Sequence, residues 1–268
     1  CRGQWVKDHH AAKLQERQRR GIYINGVPHL TAEQFDWNYT TENVSMMPAM
    51  INTLIMTALT LVIAVPIGVF AAVYLVEYAK RGNKLVKIIR VTTETLSGIP
   101  SIVFGLFGYL MFNISFGWGF SMMAGVITLA MMILPLIIRT TEEALLAVPD
   151  SYREGSFGLG AGKMRTVFRV ILPTAVPGIM SGVILSIGRI VGESAALIFT
   201  SGSGHSIPGS LVGSGSSAAT LTVHMYILSN EGLHVNEAFA SAVVLLALTF
   251  LINLVSDLIE RRIAKKKG

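Results

Sequence analysis

The sequence predicts an all-α polytopic membrane protein with five visible transmembrane helices. Hydrophobic residues make up 51% of the 268 residues and charged residues only 14%, whereas soluble domains carry about 25% charged residues. Long uncharged runs alternate with short segments rich in Lys and Arg, which is typical of membrane proteins and not of a nucleic-acid-binding face. The six His are scattered and there is a single Cys, so the sequence predicts neither a metal site nor an intrachain disulfide.

The N-terminal part of the chain precedes the first apolar run. Residues 1–45 are polar and are predicted to form an extramembrane segment; the alternative is an arm that contacts a partner. Residues 49–76 contain no charged residue, and about 20 apolar residues suffice to cross a bilayer. They therefore form the first visible span, with a kink expected at Pro66. Residues 77–90 follow as a short basic link.

Four more spans are predicted from the remaining apolar runs. Residues 95–138 are uncharged over 44 positions, which is enough for two crossings joined by a hairpin at residues 113–121. Trp118 in this hairpin suits a membrane interface. The fourth span is expected to run from about residue 170 to 200, with Arg139 ending the third, and the fifth covers residues 238–256.

The distribution of basic residues predicts the orientation. Fifteen of the 22 basic residues lie in three blocks, at residues 80–90, 139–169 and 261–267. The loops at 113–121 and 201–235 contain no Lys or Arg. Because basic residues next to spans face the cytoplasm, the loop at 140–169 and the basic tail at 263–268 are predicted to be cytoplasmic. Residues 1–45 are then extracytoplasmic.

The longest polar interruption between the apolar halves is the stretch at residues 150–173. Ser151 and Glu154 have the S-x-x-E spacing of a capping box, which predicts that a helix starts there. Gly160 lies in a Gly-rich run that favours a turn with positive φ. The sequence therefore predicts a short basic helix and turn on the cytoplasmic side, available to a partner; the alternative is a basic loop that binds nothing.

The same stretch does not match a phosphate-binding P-loop. That motif requires Gly at the position of Phe157 and a hydroxyl residue at the position of Met164. The sequence therefore predicts no cofactor in this chain.

These residues resemble the loop by which bacterial ABC importer permeases dock on the ATP-hydrolysing subunit. The family pattern is E-A-A, three residues, G, nine residues and I-x-L-P; Glu154, Gly160 and Pro173 match it, while Gly155 and Ser156 replace the two alanines. The resemblance implies a cytoplasmic coupling helix and places ATP and Mg²⁺ in a partner ATPase dimer. The residues to which it assigns ATPase coupling are Ser151, Arg153, Glu154, Gly155, Ser156, Gly160 and Ala161.

Two further segments resemble the permeases of the Pst-type phosphate importer. Residues 94–105 read E-T-L-S-G-I-P-S-I-V-F-G, and residues 189–197 follow the family pattern R-x-x-G-E-T-A-P-L with Ser194 for Thr and Ala196 for Pro. The order of the motifs favours the second-named, A-type permease of that importer's pair. The resemblance implies a type I ABC importer permease fold over residues 46–262.

The same resemblance implies partners and a location. The partners are a sister permease, two copies of an ATPase and an extracytoplasmic phosphate-binding protein, in the bacterial cytoplasmic membrane. Because this family usually has six spans, we expect one span before residues 1–45 that the sequence does not include.

Arg189 and Glu193 are the only charged residues between Arg169 and Glu231. Being four residues apart, they are predicted to share one helix face inside the fourth span. The fixed fork of an Arg guanidinium can hold two oxygens of an anion at once. The functional hypothesis is that Arg189 lines the substrate pathway and Glu193 orients it; the alternative is an ion pair that only fixes helix packing.

The leading hypothesis for function is therefore a transmembrane permease subunit of an ATP-driven inorganic phosphate importer. A permease for another oxyanion, molybdate or sulfate, is the first alternative. The second is an intramembrane enzyme with Glu142, Glu143, Arg189 and Glu193 as candidates. No pair of His or Asp lies in the spans, as a metal or nucleophile site would need, which disfavours the enzyme.

Overall fold

The computed structural model describes residues 23–24, 27–28, 46–79, 84–213, 215–231 and 235–265. The chain divides into two units, Cys1–Ser45 and Met46–Gly268. In the first unit, strands β1 (Tyr23–Ile24) and β2 (Val27–Pro28) pair antiparallel. All other elements among the described residues are helical.

Helix α1 (Met47–Tyr78) is the first span and ends in a π-helical segment, Tyr74–Tyr78. One face, with Thr60, Ala64 and Gly68, is buried. A Cβ on Gly68 would lie 2.6 Å from Cγ2 of Ile137, so glycine is what permits the close approach of this helix to the third span. Pro66 lies within the helix without ending it.

The second crossing is broken, which corrects the predicted polar link and the predicted start near residue 95. Helix α2 (Lys84–Ser97) is followed by helix α3 (Ser101–Ser115), and the axes of the two differ by 101°. The break at residues 98–100 contains Gly98 and Pro100, which disfavour a continuous helix. At 1.5 Å per residue α3 measures about 22 Å, less than the roughly 30 Å of a bilayer core.

A hairpin at the predicted place joins α3 to the third span. Gly117 and Gly119 adopt φ of 70° and 63°. Helix α4 (Met122–Leu146) begins with Ser121, whose hydroxyl accepts a hydrogen bond from the Ala124 N–H at 3.3 Å. The helix continues past Arg139, where the span was predicted to end, because residues 142–146 (Glu-Glu-Ala-Leu-Leu) are strong helix formers that extend it beyond the apolar run.

The bounds of the fourth span differ from the prediction. After helix α5 (Asp150–Gly158), helix α6 (Lys163–Val191) begins seven residues before the predicted start and ends nine before the predicted end. It contains a π-helical segment at Val167–Ile171. A separate short helix, α7 (Ala195–Thr200), follows the break.

The last two helices complete the second unit. Helix α8 (Leu221–Glu231) follows a segment that is hydrogen-bonded to the start of α4, and helix α9 (Val235–Lys265) contains the last span. Within the described residues, four helices are long and apolar enough to cross a membrane, or five if the bent pair α2–α3 counts as one span. The prediction of five spans is confirmed in this sense.

The core forms two clusters along α4. One contains Met56, Phe104, Leu129 and Leu197, and the other contains Leu145 with residues from the end of α1 and the start of α6. The outer faces of the spans carry exposed large apolar side chains, among them Val62, Phe70, Leu246 and Phe250. Such faces are suited to lipid or to other membrane helices.

Candidate functional site

Helix α5 lies in the predicted coupling loop, but it does not begin with the predicted capping box. Pro149 is the N-cap residue, with φ −56° and ψ 141°, and no side chain among the described residues caps the helix. Ser151 is already the second helical residue, so its hydroxyl is not placed to accept from the N–H of Glu154. Asp150 supplies negative charge in the first turn instead, where it interacts favourably with the helix dipole.

The end of α5 is a Schellman motif around Gly160. The Ala161 N–H donates to the Ser156 carbonyl at 3.1 Å, and the Gly160 N–H donates to the Phe157 carbonyl at 2.9 Å. Gly160 has a φ of +81°, which non-glycine residues adopt at a cost. The predicted positive-φ turn is confirmed.

Side chains also fasten this turn to the neighbouring spans. The hydroxyls of Ser156 and Thr166 are 2.8 Å apart and share a hydrogen bond. The Lys163 ammonium lies 5.2 Å from the ring centroid of Tyr78 at the end of α1. The start of α6 is therefore tied both to α5 and to the first span.

Arg153 points into the protein, not toward solvent. Its guanidinium pairs with Glu77 at 2.8 Å and also donates to the backbone carbonyls of Leu145 and Val148, at 2.9 and 2.8 Å. Of the seven residues predicted to couple to an ATPase, Arg153, Ser156 and Ala161 are half-buried, whereas Ser151, Glu154, Gly155 and Gly160 are exposed. The structure thus separates the predicted set into inward and outward members.

The outward surface of the loop is more apolar than the sequence analysis predicted. Four large hydrophobic side chains are exposed around α5 and the following turn: Tyr152, Phe157, Leu159 and Met164. We call these four residues and Glu154 the docking face. Leu159 has 91% of its surface exposed. The sequence could have indicated this surface, because large apolar residues in a predicted cytoplasmic loop are unfavourable in water unless a partner covers them.

Arg189 and Glu193 do not share a helix face, which corrects that prediction. Arg189 lies in the last turn of α6, and Gly192 ends the helix before Glu193. The Glu193 carboxylate accepts a hydrogen bond from the Ala196 N–H at 3.1 Å, so it caps α7. Within the part of the chain that the structure describes, Arg189 forms no ion pair. Arg189 and Glu193 do not pair because α6 ends at Gly192 and the Glu193 carboxylate bonds to the start of α7 instead.

The two remaining carboxylates of the enzyme hypothesis pair with arginines. Glu142 contacts Arg90 at 3.2 Å, and Glu143 contacts Arg139 at 3.1 Å. No group of three or more His, Cys, Asp and Glu side chains among the described residues is arranged to hold a metal ion. These positions therefore provide no assembled catalytic centre in the described residues.

One buried histidine lies between the fourth and fifth spans. His224 in α8 is buried, and the centroids of its ring and the His205 ring are 5.7 Å apart in an edge-to-face arrangement. Burial, and secondarily the neighbouring His205, lowers the pKa of His224 below the usual 6.5. The neutral form is thus favoured in the folded protein.

Known proteins resemble this chain in sequence and in fold. The family described as "Binding-protein-dependent transport system inner membrane component" matches residues 64–267. The probable ABC transporter permease protein YqgI of Bacillus subtilis (strain 168) is 39% identical over 188 residues, which cover 68% of this chain and 62% of the relative. The match thus spans less than two thirds of that relative's length.

Relatives with a more specific description also match. The phosphate transport system permease protein PstA 1 of Mycobacterium tuberculosis (strain ATCC 25618 / H37Rv) is 34% identical over 212 residues, which cover 79% of this chain and 68% of the relative. PstA of Yersinia pestis is 44% identical over 140 residues, which cover 52% of this chain and 47% of the relative.

Solved transporter structures share the fold. The inward-facing MetNI methionine ABC transporter superposes with a TM-score of 0.63 at 22% identity, over 87% of this chain and 99% of the other. A bacterial alginate ABC transporter, solved with its pentasaccharide-bound periplasmic protein, gives 0.66 at 17% identity, over 88% and 84%.

Proposed function

Because the chain belongs to the family of binding-protein-dependent transport system inner membrane components, we propose that it is the transmembrane permease subunit of an ATP-driven inorganic phosphate importer. The choice of phosphate is supported by the relatives named for phosphate transport and by the two motifs at residues 94–105 and 189–197. As a permease it is a transport component and not an enzyme, so the intramembrane-enzyme hypothesis is not retained. A molybdate or sulfate permease has no comparable support.

The observation that carries the proposal is the docking face. Exposed apolar side chains on the polar side of a membrane protein indicate a protein interface. Here they surround a short helix whose end is fixed by the Schellman motif at Gly160. The proposed partner is an ATPase dimer, which binds the ATP and Mg²⁺; this chain binds neither.

The remaining partners and the orientation belong to the same proposal. A sister permease completes the pathway across the lipid bilayer, and an extracytoplasmic phosphate-binding protein delivers the substrate. The protein resides in the inner membrane with its C-terminus and docking face in the cytoplasm, where ATP is available. It has no nucleic-acid partner.

The proposed transport step is a rocking of packed helices. Closure of the ATPase dimer displaces α5, and the contacts between α5 and the spans convert this displacement into movement that opens the pathway outward. Because packed interfaces have discrete arrangements, a small displacement at the docking face is expected to change the state of the whole bundle.

Arg189 is proposed as the residue of the pathway that meets the anion. Its guanidinium has five N–H donors, and within the described residues no carboxylate neutralises it. Glu193 acts as a positioning residue: its carboxylate holds the start of α7 next to the end of α6 at Gly192, one turn beyond Arg189. This assignment replaces the ion pair that the sequence suggested.

Uptake measurements test the proposal. The chain, produced with the other subunits of its own transporter in bacteria that lack phosphate importers, should restore uptake of radiolabelled phosphate. Excess molybdate or sulfate should not compete. Leu159→Asp places a charge at the centre of the docking face and should abolish uptake while the protein still inserts. Accumulation of molybdate or sulfate in place of phosphate would refute the choice of substrate.

A further inference from the structure

We propose that Arg153 is a positioning residue that links the coupling helix α5 mechanically to the first and third spans, instead of contacting the ATPase. The inference rests on the proposed function, because it assumes that a partner displaces α5. It concerns how that displacement reaches the membrane, which the docking face by itself does not explain.

The guanidinium of Arg153 is fully used inside the chain. Nε and one terminal nitrogen donate to Oε1 of Glu77, at 3.1 and 2.8 Å. The remaining hydrogen bonds go to the Leu145 carbonyl at 2.9 Å, the Val148 carbonyl at 2.8 Å and Oδ1 of Asp150 at 3.1 Å. A guanidinium has five N–H donors, so these five bonds leave none for another protein.

The acceptors belong to three different elements. Glu77 lies in the π-helical segment that ends α1. Leu145 is in the last turn of α4, where carbonyls lack partners within the helix and favour a positive charge. Asp150 begins α5 itself. One side chain therefore holds the end of the first span, the end of the third span and the start of the coupling helix together.

Burial distinguishes this contact from the other ion pairs near the cytoplasmic ends. The side chains of Arg153 and Glu77 are only 16% and 10% exposed, whereas those of Arg139 and Glu143 are 59% and 64% exposed. Exposed pairs are screened by water and contribute little, but removing one partner of a sheltered pair leaves the other without compensation. The Arg153–Glu77 pair is thus a firm connection, and the Arg139–Glu143 pair is a suitable control.

The link predicts a specific failure when it is cut. Without the Arg153 guanidinium, α5 keeps its docking face and the turn that joins it to α4, and it reaches α1 only indirectly, through the Ser156–Thr166 hydrogen bond to α6 and the contact of Lys163 with Tyr78. An ATPase would still dock and hydrolyse ATP, while α1 and α4 would follow α5 less completely. The expected defect is therefore in the number of phosphate ions carried per ATP, not in assembly.

The experiment uses the whole transporter reconstituted in lipid vesicles, with ATP hydrolysis and phosphate transport measured together. Arg153→Gln and Glu77→Gln should each lower the phosphate carried per ATP by about tenfold or more, within the usual range of coupling energies, while hydrolysis continues. Arg153→Lys retains the charge with fewer donors and should recover part of the coupling. Arg139→Gln and Glu143→Gln, which cut the exposed pair, should leave the ratio unchanged.

Several results would overturn the inference. An unchanged ratio in both Arg153→Gln and Glu77→Gln would show that the link carries no motion. Loss of assembly in both variants would show a structural role only. Loss of ATPase binding in Arg153→Gln alone would place Arg153 in the docking face. If the wild-type transporter carries a different oxyanion, the ratio is measured with that anion; this failure concerns the proposed substrate and leaves the link testable.

Discussion

The backbone of Gly105 in α3 packs directly against the backbone of Ala196 in α7. A Cβ on Gly105 would lie 2.7 Å from Cα of Ala196 and 3.1 Å from its carbonyl oxygen. The Asn113 side-chain amide adds a hydrogen bond from α3 to the Thr200 carbonyl at 3.1 Å. Two helices that are each too short to cross a bilayer are therefore joined into one packed layer.

Gly105→Ala is expected to destabilise the protein. The added methyl group meets backbone, which cannot move aside as a flexible side chain can, so we expect a loss of about 1–3 kcal/mol. Gly188→Ala is the matched control: Gly188 also lies in a helix of the second unit, but a Cβ added there would meet no described atom within 4 Å. There alanine should stabilise by about 0.5–1 kcal/mol. Thermal unfolding in detergent measures both, and equal effects would contradict the argument.

The absence of a capping box predicts that Ser151 contributes little to stability. Ser151→Ala should change the free energy of unfolding by less than about 0.5 kcal/mol, because its hydroxyl does not cap α5. Ser121→Ala should cost about 1 kcal/mol, since the Ser121 hydroxyl caps α4. Denaturation of the two variants side by side provides the measurement. If Ser151→Ala lowered the free energy of unfolding more than Ser121→Ala, the result would support the predicted capping box.

Arg189→Gln should impair phosphate transport without preventing assembly. Loss of a charged hydrogen bond of about 1.5–3 kcal/mol raises the half-saturating phosphate concentration by roughly 10–100-fold. Glu193→Gln should be mild, because the amide oxygen of Gln can still accept from the Ala196 N–H. The double variant should transport as poorly as Arg189→Gln. Recovery of uptake in the double variant would favour a buried ion pair over a pathway residue.

The buried His224 predicts a loss of stability in acid. Because its pKa in the folded protein is lowered from 6.5, the unfolded chain binds a proton at this position more readily than the folded one. Stability is therefore intact above pH 6.5 and falls as the pH drops below that value. His224→Gln should reduce the loss of stability that accompanies the fall in pH. Melting temperatures between pH 5 and 8 test it, and an unchanged slope would contradict it.

The orientation can be tested by labelling single cysteines in a Cys1→Ser background. Gly162 lies beside the docking face and Ser210 lies in the segment between α7 and α8; both are exposed. A membrane-impermeant reagent applied from outside should modify Ser210→Cys at once and Gly162→Cys only after the membrane is opened. Immediate labelling of Gly162→Cys would reverse the orientation and exclude docking of a cytoplasmic ATPase.

Hydropathy and glycine and proline positions predicted much of this fold, because they act locally. The uncharged runs predicted the spans, and Gly98 and Pro100 lie where the second crossing breaks. Hydropathy missed the start of α6 at Lys163, since a helix that extends beyond the lipid has no apolar requirement there. It also extended the fourth span across Gly192, where the chain leaves the helix and Glu193 caps α7.

The proposed coupling site was less predictable, because the Arg153–Glu77 contact joins residues that are distant in the chain. The family pattern identified Glu154 and Gly160, and the turn around Gly160 has the predicted backbone conformation. Arg153 was assigned to ATPase coupling with the rest of the loop, and its contact with Glu77 was not predicted, because Glu77 lies 76 residues away and no local pattern connects the two. Sequence spacing describes a helix and its ends, whereas the direction of a long side chain depends on what surrounds it.

The π-helical segment at the end of α1 makes the contact between Arg153 and Glu77 sensitive to how the helix is wound. A π-turn contains about one residue more than an α-turn, so it shifts the angular position of every side chain beyond it. If Tyr74–Tyr78 wound as an ordinary α-helix with all its residues kept, the side chains beyond it would turn by about 100° about the helix axis. A substitution that removes the π-turn would therefore turn the Glu77 carboxylate away from Arg153, whereas a one-residue deletion would remove the extra residue of the π-turn and leave the following side chains in place.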